Sequence, residues 1–452
     1  MTRSISLFPF VMMAACATYR PQPLPTADPV ARFNDRRLDA PALRLALDSL
    51  GVRPPTAGWR DWELAEAAWV LRPERARLAA EVKVAEAARI TAGARVQPGV
   101  NTETEYSFSG THGESRWGFA LSSVFTVELG GKRGARLARA NAGVLAAIAR
   151  SDEEAWQVRW RVHEAAVQLA LLTRQVAAGR PVRELSDSLV DQIRRRFEEG
   201  AIAATEVART EADRQAAEAE AATGEREVRE SRAALAAAIG VPVEEFDRTA
   251  LAIEAVERCG EAPRDSLLRL SLESRPALRR MLAEYQVAEA EVRLEVANSW
   301  PDLQLGPGLF FDHGVGKWTV GFGLPSLPLH GNRGPIGEAE ARRAVAAARV
   351  NEAQEQILGE VEQAIAGCAA AMTESKALDD AGVRRRLQLV EAAYLRGEAG
   401  QLDLGLARLD VARADRRVTE AQGRVALAWL ALERAIGLWD SRAAATAGRE
   451  GK

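Results

Sequence analysis

Two stretches 197 residues apart, FEEGAIAATE from Phe197 and YLRGEAGQLD from Tyr394, share an aromatic residue, a glycine three positions on and an acid nine positions on. Laid together without gaps, residues 197–240 and 394–437 give nine identities, including Gly200 with Gly397, Asp213 with Asp410, and Ile239, Gly240 with Ile436, Gly437. Alanine-rich sequence yields such matches by chance, so the landmarks upstream carry the weight. Arg72, Pro73 answers to Arg275, Pro276; Pro98 to Pro301; His112, Gly113 to His313, Gly314; Trp117 to Trp318; and Gly131, Gly134 to Gly331, Gly334. Their separations run 203, 203, 201, 201, 200 and finally 197, the drift that small deletions leave. The chain is a tandem duplication of about 200 residues, and the fold must be built twice.

Each copy opens with a helical stretch, residues 61–92 and 265–297, and then changes period. In NTETEYSFSG, Thr102, Thr104, Tyr106 and Phe108 alternate with Glu103, Glu105, Ser107 and Ser109, the period of a strand with two unlike faces. Beyond a turn at His112, Gly113 the alternation continues through Trp117, Phe119, Leu121, Ser123, Phe125 and Val127. Copy two repeats it with Leu303, Leu305, Leu309, Phe311, a turn at His313, Gly314, and then Trp318, Val320, Phe322 and Leu324. Each copy therefore supplies one hairpin of strands long enough to cross a membrane at a tilt. Four strands do not close a barrel, since membrane barrels start at eight, so several chains must share one.

Glycine-rich links then release the chain into very long helices, with Pro335 suited to a first helical turn. Residues 135–197 would reach about 95 Å as one helix, with Gly179 and Pro181 expected to kink or interrupt it. Trp156, Trp160, His163 and Val167 mark a packing seam at helical spacing, and Leu402, Leu406 and Leu409 mark another. Long paired helices of this kind pack on one another as coiled coils rather than around a globular core.

Composition agrees: charged residues are 27% and aromatics 6%, the profile of long helices. A net charge of -3 leaves no nucleic-acid footprint. The first residues, MTRSISLFPFVMMAACATYR, have a basic residue, a short apolar run and small residues around Cys16, the layout of an export signal. Met13, Ala14, Ala15, Cys16 resembles a lipobox, which makes Cys16 the expected lipidation site at the outer membrane, with plain cleavage after Ala17 the alternative. The expected division is a signal peptide at 1–15, an extended segment at 16–58, a first repeat at 59–263, and a second repeat with a tail at 264–452. Cys259 and Cys368, more than 100 residues apart in dissimilar settings, imply no disulfide framework. No stretch of 18 apolar residues follows the signal, so a membrane is crossed only by a closed barrel. No metalloprotease, phosphate-loop or nucleophile-elbow motif occurs, and neither an enzyme, a cofactor nor a resident metal is expected.

This order of parts, twice over in an exported chain, resembles the TolC-like outer-membrane efflux factors from about Trp59 to Gly437. The segment FGLPSLPLHGNRGPIGEAEARR, residues 322–343, looks like the strand-to-helix junction of the heavy-metal (CzcC and CusC type) branch, with His330 departing from the usual aromatic or aliphatic residue. Residues 275–306 match the family's opening helix and strand. The resemblance implies a mainly α fold with a membrane β-barrel portion: a homotrimer whose twelve strands form one barrel in outer-membrane lipid, above a periplasmic helical tunnel. It implies as partners a periplasmic adaptor and an inner-membrane transporter of the RND type. It also places Phe197, Gly200, Tyr394 and Gly397 at the periplasmic tips, and Glu206 and Asp403 around the pore constriction, with Glu211 or Asp410 as alternatives there. The expected activity is passive export, of heavy-metal cations rather than drugs. A periplasmic adaptor or structural coiled coil without a pore is the competing reading, and an exported helical enzyme a third.

Overall fold

The computed structural model describes residues 19–24, 28–52, 58–108, 115–255, 259–260, 262–312, 314–325, 330–378 and 380–439. A short N-terminal pair of helices, α1 (Pro29–Asn34) and α2 (Pro41–Ser49), precedes the first copy. That copy consists of α3 (Asp61–Leu71), α4 (Glu74–Gly93), β1 (Gly99–Tyr106), β2 (Trp117–Val127), α5 (Lys132–Glu198) and α6 (Ala204–Ile239). The second consists of α7 (Arg264–Ser274), α8 (Pro276–Asn298), β3 (Leu303–Asp312), β4 (Val315–Gly323), α9 (Arg333–Ala377), α10 (Ala381–Leu395) and α11 (Gln401–Ile436). One order of parts is thus used twice, and the segment expected to be extended before residue 59 carries two helices instead.

The opening helix of each copy, expected as one piece, is two. Proline disfavours helical backbone in the residue before it, and Arg72 and Arg275 accordingly swing out to ψ 140° and 117°. Both arginines then serve the break they sit in. Arg72 donates to the carbonyl of Ala238 at 2.8 Å, and Arg275 to that of Arg434 at 2.7 Å. These carbonyls belong to the last turns of α6 and α11, where a cation meets the negative helix end. The recurrent Arg-Pro pair is therefore a helix break and a cap for a different helix.

Gly179 and Pro181 do not interrupt α5, which runs unbroken for 67 residues, about 100 Å. The interruption falls in copy two, where Leu378 leaves the helix at ψ 95° between α9 and α10. Copy two is also the shorter: the offset between copies drops from 201 at Trp117 and Trp318 to 197 at Phe197 and Tyr394, about one helical turn. The return helices α6 and α11 are both 36 residues long, so the loss lies in the outgoing arm. At the strand-to-helix junction the equivalence also shifts by one. Consecutive left-handed residues are Gly130, Gly131 in copy one and Gly331, Asn332 in copy two, with Gly131 and Asn332 as the N-caps. Asn332 tolerates that conformation as few residues besides glycine do.

The strands form a single antiparallel sheet in the order β1-β2-β3-β4. Its register sets Tyr106 opposite Trp117, Phe119 opposite Phe311, Leu121 opposite Leu309, and Leu309 opposite Trp318. Directly opposed residues share a face, so most of the large apolar side chains collect on one side, although Phe310, opposite Ala120 and Lys317, does not. Glu103, Glu105, Ser122, Lys317 and Thr319 fall on the other. The β2–β3 ladder skips Ser123 and Val124, which face Pro307 and Gly306, and Pro307 has no N–H to give. The hairpin tips holding His112, Gly113 and His313 lie outside the described residues.

A genuine core exists where the copies' helix ends meet the short helices, contrary to the expectation of coiled coil alone. In copy one Leu64 of α3, Val162 of α5, and Leu235 and Ile239 of α6 are fully buried, with Leu47 of α2 added on top. In copy two Val361 and Cys368 of α9 bury against Leu432 and Ile436 of α11 under Leu267 and Leu268 of α7. Here the structure corrects the cysteine reading: Cys259 and Cys368 are joined in a disulfide. The linker after copy one crosses the α7, α9, α11 cluster and brings the two Cα atoms within 5.8 Å, although 109 residues of chain separate them.

Candidate gate at the hairpin tips

Both outgoing arms end in the same capping geometry. Gly200 at φ 72° donates to the carbonyl of Phe197 at 2.9 Å while the Ala201 N–H reaches Arg196 at 2.8 Å. Gly397 at φ 74° donates to Tyr394 at 3.0 Å while the Glu398 N–H reaches Ala393 at 2.9 Å. The left-handed residue lets the last carbonyls of the helix be satisfied as the chain turns back. A Cβ on either glycine would meet nothing within 4 Å, so backbone conformation and not crowding demands glycine. The aromatic partners Phe197 and Tyr394 stay nearly half exposed.

Glu206 and Asp403, the acids nine positions on from the aromatic residues, both sit at the third residue of the return helix, near its positive end. They are not equivalent in detail. The Asp403 carboxylate accepts the N–H of Gly400 at 2.9 Å, the reciprocal half of a capping box. Glu206 is exposed, and among the described residues no hydrogen bond or ion pair holds its carboxylate. The alternatives are committed sideways: Glu211 pairs with Arg194 at 2.6 Å and Asp410 with Arg386 at 2.7 Å.

The Arg194 and Glu211 pair has a counterpart that sequence reading missed. Adding the repeat offset of 197 gives Glu391 and Arg408, which also pair, at 3.5 Å, with the charges exchanged. Each hairpin thus closes its own arm with an ion pair, while Arg194 against Arg408 or Glu391 against Glu211 would repel. The tips lie side by side within the chain: Val182 and Leu189 of α5 pack on Leu409 and Ala412 of α11, where Gly405 allows close approach to Leu189.

A second charged cluster lies deep in the body. His163 Nδ1 is 2.5 Å from Asp61 Oδ2, and its Nε2 is 3.9 Å from Glu433 Oε2. Burial works against the imidazolium, but the hydrogen bonds to Asp61 and Glu433 outweigh it and hold the pKa up at about 9. It is a satisfied structural histidine, as its place on the seam suggests. Among the described residues no group of three or more metal-ligating side chains occurs, and His330 is exposed.

A sheet with one largely apolar face, joined to paired long helices with glycine-capped tips, defines the class of outer-membrane channel proteins with a helical extension. The chain belongs to the outer membrane efflux protein family, whose model matches residues 64–241 and 267–438, one segment in each copy. The family is one of channels and not of enzymes. No curated protein sequence matches. Among solved structures, the outer membrane protein VceC of Vibrio cholerae aligns at TM-score 0.65 and 20% identity, covering 85% of this chain and 99% of its own. CusC aligns at 0.64 and 16%, covering 85% and 95%. The open-state MtrE outer membrane channel of Neisseria gonorrhoeae aligns at 0.63 and 19%, covering 84% and 89%. At such identities these likenesses carry the fold.

Proposed function

We propose that three copies of this chain form the outer-membrane exit duct of a tripartite efflux system, passing cargo delivered by a periplasmic adaptor and an inner-membrane transporter. One observation carries the assembly. In copy two every layer has neighbours on both sides: β3 lies between β2 and β4, α8 between α5 and α9, and α11 between α5 and the α9, α10 arm. Among the described residues the matching parts of copy one pack closely along one long neighbour each, with β1 on β2, and α4 and α6 on α5, while α6 meets α11 mainly through the Asp213–Arg413 and Glu220–Arg416 ion pairs. Three layers lack a partner on the same side, and β4, α9 and α10 of a next chain are the parts that fill it. A head-to-tail contact of this kind closes into a ring. Three chains give twelve strands, above the minimum for a barrel.

In that ring six tips converge, and Glu206 and Asp403 form the constriction. The cargo reading favours heavy-metal cations, supported by the junction at residues 322–343 and by the acids at the tips, which favour cations and bind multivalent ones. Cys16, outside the described residues, supplies a lipid anchor. Single-channel conductance of the purified protein in a planar bilayer tests the gate. Small cation-selective openings blocked by divalent ions are expected, and Glu206→Gln with Asp403→Asn should weaken that block several-fold. Block unchanged in the double variant removes both acids from the constriction.

A further inference from the structure

The duplication fixes more than the existence of a seam between chains; it fixes the register. Within the chain, β2 of copy one already pairs with β3 of copy two, and that ladder is the internal model of β4 meeting β1 of a neighbour. The equivalences are set by the hairpins themselves. Tyr106 faces Trp117 in copy one and Leu309 faces Trp318 in copy two, so β1 maps onto β3 with an offset of 203 and β2 onto β4 with 201. Carrying the observed pairs Phe119 with Phe311, Leu121 with Leu309 and Ser122 with Gly308 across by these offsets gives one ladder.

We infer that β4 pairs antiparallel with β1 of a second copy of this chain, with Val320 opposite the partner's Phe108, Phe322 opposite the partner's Tyr106, and Gly323 opposite the partner's Glu105. This rests on the ring reading given above and specifies its barrel seam. Four observations fit it. Both edge strands leave a row of backbone groups unpaired, which hydrocarbon does not tolerate. Val320 and Phe322 continue the apolar face onto Phe108 and Tyr106, and the glycines Gly321 and Gly323 lie on the face that carries Glu103 and Glu105. A slip of one residue would set aromatic rings against glycines on the wrong side of the sheet. The position matching Pro307 is Thr104, which keeps the N–H that Pro307 lacks, while Pro325, at the position matching Val124, ends the seam's ladder on the β4 side.

A slip of two residues preserves the faces, so it is the rival to test. Cysteine pairs are introduced into the full chain at Phe322→Cys with Tyr106→Cys, and separately at Phe322→Cys with Thr104→Cys and Phe322→Cys with Phe108→Cys. Leu324→Cys with Thr104→Cys repeats the inferred register without touching an aromatic ring. Leu121→Cys with Leu309→Cys checks that the sheet has formed within a chain. After mild oxidation of the detergent-extracted protein, non-reducing electrophoresis should show chains linked up to a trimer for 322 with 106 and for 324 with 104, with at least five-fold less for the slipped pairs. Stronger linkage through 322 with 104 or 322 with 108 overturns the register and leaves the ring standing. Chains that stay trimeric but link in no register overturn the seam itself, and a monomer that links nowhere overturns the ring reading as well.

Discussion

The imidazole of His163 joins parts of the molecule that no local rule connects: the first turn of α3, the middle of α5 and the last turn of α11. Its folded pKa of about 9 lies above the ordinary 6.5, so it favours the folded state most where the imidazolium is retained. That contribution is whole below about pH 6.5 and is lost as pH rises through about 9, amounting to something on the order of 3 kcal/mol. Thermal unfolding followed from pH 6 to pH 10 should show a falling midpoint that His163→Gln flattens. Equal pH slopes in the two proteins would mean that the imidazolium is not held. The tip residues work by other means: Gly200 and Gly397 supply a backbone conformation, Asp403 a cap, and Glu206 a carboxylate left free for whatever approaches.

Among the elements, the α7, α9, α11 cluster is tied by covalent chemistry as well as burial. The Cys259 and Cys368 disulfide pins the linker between the copies onto α9, next to Trp429, which lies against Gly260. A bond closing a loop of that size limits the unfolded chain strongly, and its removal should lower stability by about 2–5 kcal/mol. The unfolding midpoint measured with and without dithiothreitol, and in Cys259→Ala, checks this. A midpoint that does not move would show that burial of Val361, Leu432 and Ile436 holds the cluster alone. The helix breaks follow a similar division of labour. Pro73 and Pro276 end their helices through local sterics, whereas Pro181 is carried within α5, where packing of Val182, Leu189 and Ile193 sustains the helix around one lost hydrogen bond.

At the scale of the whole molecule, the sheet presents Trp318 at 71% and Phe322 at 75% exposure on one face, alongside Phe119 and Trp117. An apolar face of that extent is stable only against lipid or another protein. Among the described residues no helix is long and apolar enough to cross a membrane, and the proposed barrel sets this apolar face of the sheet in lipid. Membrane fractions from expressing cells should therefore keep the protein through a urea wash and release it to detergent. Release by urea alone would place the sheet against a protein partner instead.

The duplication, the hairpins, the long helices and the turns at Gly200 and Gly397 are legible in the chain's residues alone, because each leaves a local signature: a repeated landmark, a period of two, a glycine where φ must be positive. The sequence also places Glu206 and Asp403 at matching positions. The tertiary structure decided everything that depends on which distant segments meet. The disulfide, the contact of His163 with Asp61 and Glu433, and the caps from Arg72 and Arg275 join residues between 102 and 270 positions apart. No periodicity records such a meeting. Continuity of α5 through Pro181, and its break in α9 and α10, were likewise settled by packing, since the same helix pattern permits either until neighbours bury one face.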